Sequence, residues 1–362
     1  MKLSDFDYDL PKELIAQEAL PKRSDARLLV LNRNSGEIQH KHFRDLPELL
    51  NSDDVLVLNN SKVLPARFFG KKETGGIMEV LLLNEIVPHP TLPLEGGGRG
   101  RGCGQTWEAL LKPSGRIKNG QIILFEGGKF AAHVIDAPRD NSGLRLLQFA
   151  EGIDVQAQMN RIGRIPLPPY IDREDLPIDR ELYQTVYAAK PGSVASPTAG
   201  LHFDNSLLAQ IEKKGTEIAH VTLHVGYGTF QPVAEEDLAQ HKIHSEYFEI
   251  PEETAEKINM AKTDGRRIVA CGTTSIRTLE AAVIDHLPSE VEAKNGATNL
   301  FIFPPYEFKI VDAIITNFHL PRTTLLMLVA AFCGKENMDQ AYKEAIREKY
   351  RFYSYGDAMM II

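Results

Sequence analysis

The sequence predicts an α/β domain, built on a mixed and largely parallel sheet, that carries a small antiparallel β-barrel or sandwich as an insertion. Three observations point there. Strand-like and helix-like segments alternate from residue 152 to the end of the chain, the pattern of a largely parallel sheet. Between about residues 63 and 151, short strand-like runs follow one another with Gly-rich turns and no helical period. The opening residues again show strand–helix–strand signals, so they are expected to join the later α/β segment. The expected division is therefore 1–62 with 152–362, and 63–151 inserted. A length of 362 residues suits two domains.

The first α/β stretch reads as Arg27–Leu31, Leu46–Leu50 and Asp54–Asn59. The insert's strands are expected at Met78–Leu83, Trp107–Leu111, Gln121–Phe125, Phe130–Ile135 and Leu144–Phe149. Turn signals at Lys112-Pro-Ser-Gly, Asn119-Gly and Gly127-Gly separate them. Inside the insert, His89 to Gly104 is so rich in glycine and proline that it cannot bury enough apolar surface to offset its chain entropy. It is expected to be a disordered loop between strands. After residue 152, Asp204 is placed to cap a helix with Leu207, Leu208 and Ile211 on its apolar face, stopped at Gly215. A strand follows over Glu217–Val225, then a helix opened by Pro251 that carries Ala255, Ile258 and Met260. Arg267–Cys271 reads as a buried strand and Ser275–Asp285 as a helix. Leu300–Phe303 and Lys309–Thr316 read as strands, Thr323–Phe332 as a deeply buried helix, and Met338–Lys349 as an amphipathic one.

Composition narrows the function. Apolar residues make up 43% and charged residues 25%, ordinary for a soluble globular protein. The longest apolar run, Leu325 to Cys333, is far short of the roughly twenty residues that cross a membrane. The acidic start, MKLSDFDYDLPKEL, does not read as a secretory signal. Three widely spaced cysteines suggest neither a disulfide framework nor a thiolate zinc site, so a reducing cytoplasm is the natural setting. The net charge is −8, yet Asn60 to Phe130 holds ten cations against six anions. That asymmetry suggests a polyanionic partner, with a merely solvated lysine surface as the alternative. Lys62, Arg67, Lys71, Lys72, Lys112, Arg116 and Lys118 are the candidate phosphate contacts.

Four polar, hydroxyl-rich loops between strands and helices are the chemical signal: Pro197–Phe203, Leu223–Phe230, Gly272–Arg277 and Thr316–Thr324. In open α/β sheets, ligands bind beyond the carboxyl ends of the strands, where glycine lets backbone approach and helix N-termini offer free N–H groups. Any one of these loops is also ordinary turn and cap chemistry; together they predict a pocket. Its expected binding residues are Thr198, Gly200, Gly226, Tyr227, Gly228, Thr229, Phe230, Thr273, Thr274, Arg277, Asn317 and Arg322. His202, His224 and His319 are the candidate catalytic imidazoles, and Arg277 suits either a ligand or an internal salt bridge. His220 and His224 lie about 13 Å apart on one strand, too far to share a metal. His40-x-His42 and His241-x-x-His244 lack the further ligands a metal needs, so no metal is expected. Motifs of P-loop nucleotide hydrolases, zinc proteases, α/β-hydrolases and Gly-rich-loop methyltransferases are missing.

The strings PTAGLHF, VTLHVGYGTFQPV, HSEYFEI, CGTTSIRTLE, TNFHLPRTTLLMLVAAF and YRFYSYGDAMMI closely resemble the S-adenosylmethionine:tRNA ribosyltransferase-isomerase family of queuosine biosynthesis. So do Asp5–Leu10 with Pro11, VLVLNNSKVLPARFFGKK, and IPLPPYIDR followed by LYQTVYAAKPGSVASPTAG. The resemblance runs nearly end to end; His89–Gly104 departs from it as an extra stretch between strands. It implies an α/β domain with an inserted β-barrel. It also implies transfer and isomerisation of the ribosyl group of S-adenosylmethionine (AdoMet) onto 7-aminomethyl-7-deazaguanine at the wobble position of tRNA. Adenine and methionine leave, and epoxyqueuosine-tRNA forms. AdoMet is then a consumed substrate and no cofactor is required. The scheme wants a base for the acidified protons beside the sulfonium and an acid for departing adenine, roles that suit the three histidines. Methionine's carboxylate suits Thr273, Thr274 and Arg277, and the sulfonium suits Tyr227 or Phe230. The basic residues of the insert would meet tRNA, and the protein would act as a cytoplasmic monomer away from membranes. Two alternatives are a tRNA-binding protein without catalysis and an AdoMet-dependent methyltransferase. Intact polar loops argue against the first and release of free adenine would decide it; S-adenosylhomocysteine as product would identify the second.

Overall fold

A computed structural model describes residues 1–86, 104–113, 117–136, 143–226, 228, 236–238, 241, 243–286 and 288–362. The expected loop at 89–104 therefore lies, except for Gly104, outside the described residues, as do Arg116, Tyr227, Thr229 and Phe230. The chain forms two compact units, Met1–Val63 with Leu167–Ile362, and Leu64–Pro166. The second boundary falls later than the expected 151/152. The helix Val155–Ile162, capped by the Asp154 carboxylate on Ala157 N–H, sends Val155 and Met159 into the core of the smaller unit.

In the larger unit, nine strands make one mixed sheet: β1 (Arg27–Leu31), β2 (Ile38–His42), β3 (Val55–Asn59), β4 (Glu217–Leu223), β5 (Glu246–Ile250), β6 (Ile268–Cys271), β7 (Lys294–Thr298), β8 (Ala313–Asn317) and β9 (Ala358–Ile361). Their order is β7-β5-β4-β3-β6-β8-β9-β1-β2. The central four, β4-β3-β6-β8, are mutually parallel, and antiparallel pairings flank them. The centre is buried on both faces, which is why it reads as continuous apolar sequence. Val55 and Val57 of β3 enter one core layer, and Leu56 and Leu58 the other. The longer helices are α1 (Asn205–Lys214), α2 (Glu252–Thr263), α3 (Gly272–Ala281), α4 (Thr324–Cys333) and α5 (Lys335–Arg347). Helix α1 packs Leu207 and Ile211 into one layer, while α2 and α3 pack Ile258, Ile276 and Leu279 into the other. Its ends are as the sequence implies: the Asp204 carboxylate accepts from Leu207 N–H, and Gly215 closes it at φ +108°.

Several elements differ from expectation. Helix α3 begins at Gly272, directly off β6, and stops at Ala281. Val283–Ile284 instead pairs with Glu290–Val291. Met260 of α2 is solvent-exposed. Leu300–Phe303 is not a strand; Phe301 and Phe303 pack on the core, and the paired backbone is the polar Lys294–Thr298 just before them. The strand expected from Lys309 starts at Ala313. The N–H groups of Lys309, Ile310 and Val311 instead go to the buried Glu280 carboxylate, at 3.0, 3.1 and 3.1 Å.

The smaller unit is a closed antiparallel barrel, which decides between barrel and sandwich. Its strands are, in order around it, Leu144–Phe149, Thr106–Lys112, Ile77–Ile86, Arg67–Lys72, Ile122–Phe125 and Phe130–Asp136. Arg67–Lys72, absent from the sequence reading, supplies the sixth strand. Phe68, Trp107, Phe125, Phe130 and Phe149 fill the interior. Gly70 is required there, because a Cβ on it would stand 2.7 Å from Ile123.

Candidate active site

The parallel centre of the sheet positions the site. At the carboxyl edge, β3 ends in Asn59, whose side chain bridges to β4. Its Nδ2 donates to Leu223 O (3.0 Å), and its Oδ1 accepts from Leu223 N–H (3.1 Å). Beyond this edge lies a partly open pocket. Its walls come from Ala195–Ala199, from Val225 after β4, from Gly272–Thr274 after β6, and from Thr316–His319 at and after the end of β8. Tyr170, Tyr183, Leu325, Tyr353 and Ser354 complete them. Among the described lining residues there is no Asp, Glu, Lys or Arg.

Three features give the pocket its chemistry. Helix α3 opens onto it without a side-chain cap, so its first N–H groups remain free to meet an anion. Ser196 Oγ, Thr274 Oγ1 and Asn317 Oδ1 are buried and have no hydrogen-bond partner among the described residues. Buried polar atoms are almost always paired, and these three belong to residues that line the pocket. The third feature is aromatic. The Tyr170 and Tyr353 rings meet edge to face, and Tyr353 holds φ at +75°, uncommon for a residue with a side chain.

Of the candidate imidazoles, only His319 lines this pocket. Thr316 Oγ1 lies 2.8 Å from its Nε2; Tyr8 OH donates to its carbonyl, and its N–H donates to Tyr342 OH at 3.0 Å. Burial pushes its pKa down to about 3, so it is neutral near pH 7. His202 lies behind Asn317, lining a smaller cavity with Arg23 and Tyr355. Burial first, then the Arg351 and Arg23 charges, also pushes its pKa down to about 3. His224 sits one residue outside the wall formed by Val225. Gly192 packs against its ring, Tyr247 stacks on it, and burial lowers its pKa.

The binding candidates divide similarly. Thr198, Thr273, Thr274 and Asn317 line the pocket. Gly200 makes room elsewhere: a Cβ on it would stand 2.0 Å from Tyr187 OH. Gly226 donates its N–H to Glu246 Oε1 (2.9 Å), and Gly228 faces the His244 ring. Arg277 occupies an internal ion pair. Its Nη1 donates to Glu246 Oε2 and its Nε to Leu300 O (3.0 Å), with both charged side chains buried. Arg322 is at the surface near Asp7 and Glu236. Lys62, Lys71, Lys112 and Lys118 are exposed, Lys72 is partly so, and Arg67 pairs with Glu79 at 3.3 Å. Among the described residues, no group of three or more His, Cys, Asp or Glu could hold a metal ion. The sequence reading named no role for Tyr170, Ser196, Tyr353 or Ser354. Their available signal was membership of the strings IPLPPYIDR, ASPTAG and YRFYSYGD.

The sequence profile of the queuosine biosynthesis protein family matches residues 3–361. The chain belongs to that family. Curated relatives include the S-adenosylmethionine:tRNA ribosyltransferase-isomerases of Natranaerobius thermophilus and Clostridioides difficile. The first is 48% identical over all of this chain and 99% of its own length, the second 47% identical over all of both. A solved family structure, the S-adenosylmethionine tRNA ribosyltransferase of Thermotoga maritima, shares 38% identity. The match covers 99% of this chain and all of that one, with a TM-score of 0.53. The family therefore spans both units, barrel and α/β sheet alike.

Proposed function

We infer that this chain, a transferase of queuosine biosynthesis, is an AdoMet:tRNA ribosyltransferase-isomerase. It moves the ribosyl group of AdoMet onto 7-aminomethyl-7-deazaguanine in a tRNA anticodon, rearranges it to the epoxycyclopentanediol, and releases adenine and methionine. The observation that carries this reading is the pocket at the carboxyl edge of β4, β6 and β8. It offers free helix N–H groups, three orphaned polar atoms and an aromatic wall, features suited to a molecule with an amino-acid end, a ribose and a purine.

In this reading His319 is the pocket's proton acceptor. It is the candidate imidazole that lines the pocket, and burial holds it neutral near pH 7, so it presents a lone pair and no charge to the sulfonium. The sulfonium faces the tyrosines Tyr170 and Tyr353, a cation–π contact of about 0.5–2 kcal/mol. Arg277 acts through Glu246 and Gly226 on the loop after β4. The exposed lysines Lys71, Lys112 and Lys118 of the barrel, with Lys62, take tRNA phosphates. AdoMet is consumed, no cofactor is used, and the protein works as a monomer in the cytoplasm. No helix among the described residues is long and apolar enough to cross a membrane.

The test is product analysis with AdoMet and tRNA bearing the aminomethyl-deazaguanine. Adenine and methionine should appear in step with modified tRNA. S-adenosylhomocysteine in their place would make the protein a methyltransferase, and tRNA binding without adenine release would make it a binding protein.

A further inference from the structure

The amino-acid end of the ligand has a corner of its own in the pocket, and the geometry points to Asn317 as the acceptor for its α-ammonium, held in orientation by His202. The inference rests on AdoMet being the ligand. It begins with hydrogen-bond bookkeeping on one amide. Asn317 is 2% exposed. Its Nδ2 donates to Tyr353 O at 2.8 Å, and lies 3.5 Å from Ser354 O and 3.3 Å from His202 Nε2. The backbone carbonyls can only accept, and they set the nitrogen end of the amide; His202 Nε2 then accepts in the tautomer that carries its proton on Nδ1. Oδ1 is thereby left as the acceptor without a partner.

Sheet register supplies the neighbour. Strands β6 and β8 are parallel, with Cys271 beside Ile315. Past that pair β6 turns into α3 at Gly272, while β8 runs on through Thr316 to Asn317, so both strand ends open onto the same pocket. The uncapped N-terminus of α3 and the orphaned Thr274 Oγ1 can only offer hydrogens to an anion. A carboxylate there and an ammonium on the same carbon would span these two strand ends. Acceptor and donors are arranged for a zwitterion, while the described lining residues supply no Asp, Glu, Lys or Arg. Recognition by neutral groups leaves methionine, the product, without an ion pair to hold it. His202 is then a positioning residue. It never touches the ligand, and with the two carbonyls it keeps the Asn317 amide from turning its nitrogen into the pocket.

The test measures binding to the full-length protein by calorimetry for three compounds. They are AdoMet, its analogue with a keto group in place of the α-amine, and decarboxylated AdoMet. Wild type should prefer AdoMet to the keto analogue by roughly ten- to a hundredfold, the range for a hydrogen bond to a charged group. Asn317→Ala should bring that preference close to one and leave the preference over decarboxylated AdoMet intact. Thr274→Val, a swap of equal shape, should do the reverse. His202→Leu should shrink the preference for the amine, and His202→Gln, whose Oε1 can accept from the amide, should restore it. If Asn317→Ala does not fold, the Thr274 variant and the His202 pair carry the test. An undiminished amine preference in Asn317→Ala or His202→Leu, or its loss in Thr274→Val, would overturn the inference. Wild type that binds no AdoMet would overturn the functional reading instead; wild type that binds AdoMet and the keto analogue equally would overturn only the role of Asn317.

Discussion

Arg277→Met separates two accounts of one residue. By sequence, Arg277 could meet a substrate carboxylate; in the fold its guanidinium pairs with the buried Glu246 carboxylate and donates to Leu300 O. Without Arg277, Glu246 keeps the Gly226 N–H and loses its counter-charge in a place closed to water. Breaking one side of a buried pair costs about 3–5 kcal/mol. In a unit of this size that lowers Tm by roughly 10 °C. Removing both charges, in Arg277→Met with Glu246→Leu, leaves no stranded ion. The Gly226 N–H is left unpaired, at about 1–3 kcal/mol. The double variant should therefore be more stable than Arg277→Met alone, a non-additivity that a denaturant double-mutant cycle reads directly. AdoMet affinity, measured on the same proteins, should change no more than loosening of the loop after β4 requires. If Arg277→Met stays within about 1 kcal/mol of wild type while AdoMet affinity falls by orders of magnitude, Arg277 binds ligand and the ion-pair reasoning is wrong.

Three further outcomes are expected. Gly200→Ala drives a methyl group to 2.0 Å from Tyr187 OH and 2.8 Å from Thr185, so overpacking should cost about 1–3 kcal/mol in a denaturant melt; an unchanged midpoint would mean that loop is slack. His202 and His319 have folded pKa values near 3, below the unfolded value, so the unfolded chain binds more protons as pH falls from about 6.5 toward 3. Their stabilisation is complete above that window and is lost within it, at about 1.4 kcal/mol per pH unit for each imidazole. Urea melts at pH 7 and 5 should show the decline, and His202→Gln should make it shallower; an equal slope in that variant would contradict a neutral buried His202. Lys71→Ala with Lys112→Ala should flatten the salt dependence of tRNA affinity by up to about two phosphate contacts and leave AdoMet affinity alone. An unaltered slope would remove these lysines from the tRNA surface.

Local patterns alone determined much of this protein. The Asp204 cap, the Gly215 stop, the continuous apolar strands β3 and β6, and the buried helix α4 are set by side chains within a few residues of each other, where period and cap chemistry act. The polar strings after β6 and β8 were legible for the same reason, since a strand that runs into small polar residues and a helix places them at the sheet's carboxyl edge. Tertiary structure decided what depends on partners distant in sequence. The polar strands β2 and β7 exist because neighbours pair with them, and barrel closure depends on Leu144–Phe149 reaching Phe130–Asp136 on one side and Thr106–Lys112 on the other. Lys309–Val311 leaves the sheet because Glu280, some thirty residues earlier, takes its N–H groups. The same principle sorted the site. Arg277 lies in the second turn of α3 and Asn317 at the end of β8, both in polar strings that read alike, yet one meets Glu246 and the other meets His202 and Tyr353. A residue's type states what bonds it can make; only the packed chain decides which of those bonds are already taken and which remain for a ligand.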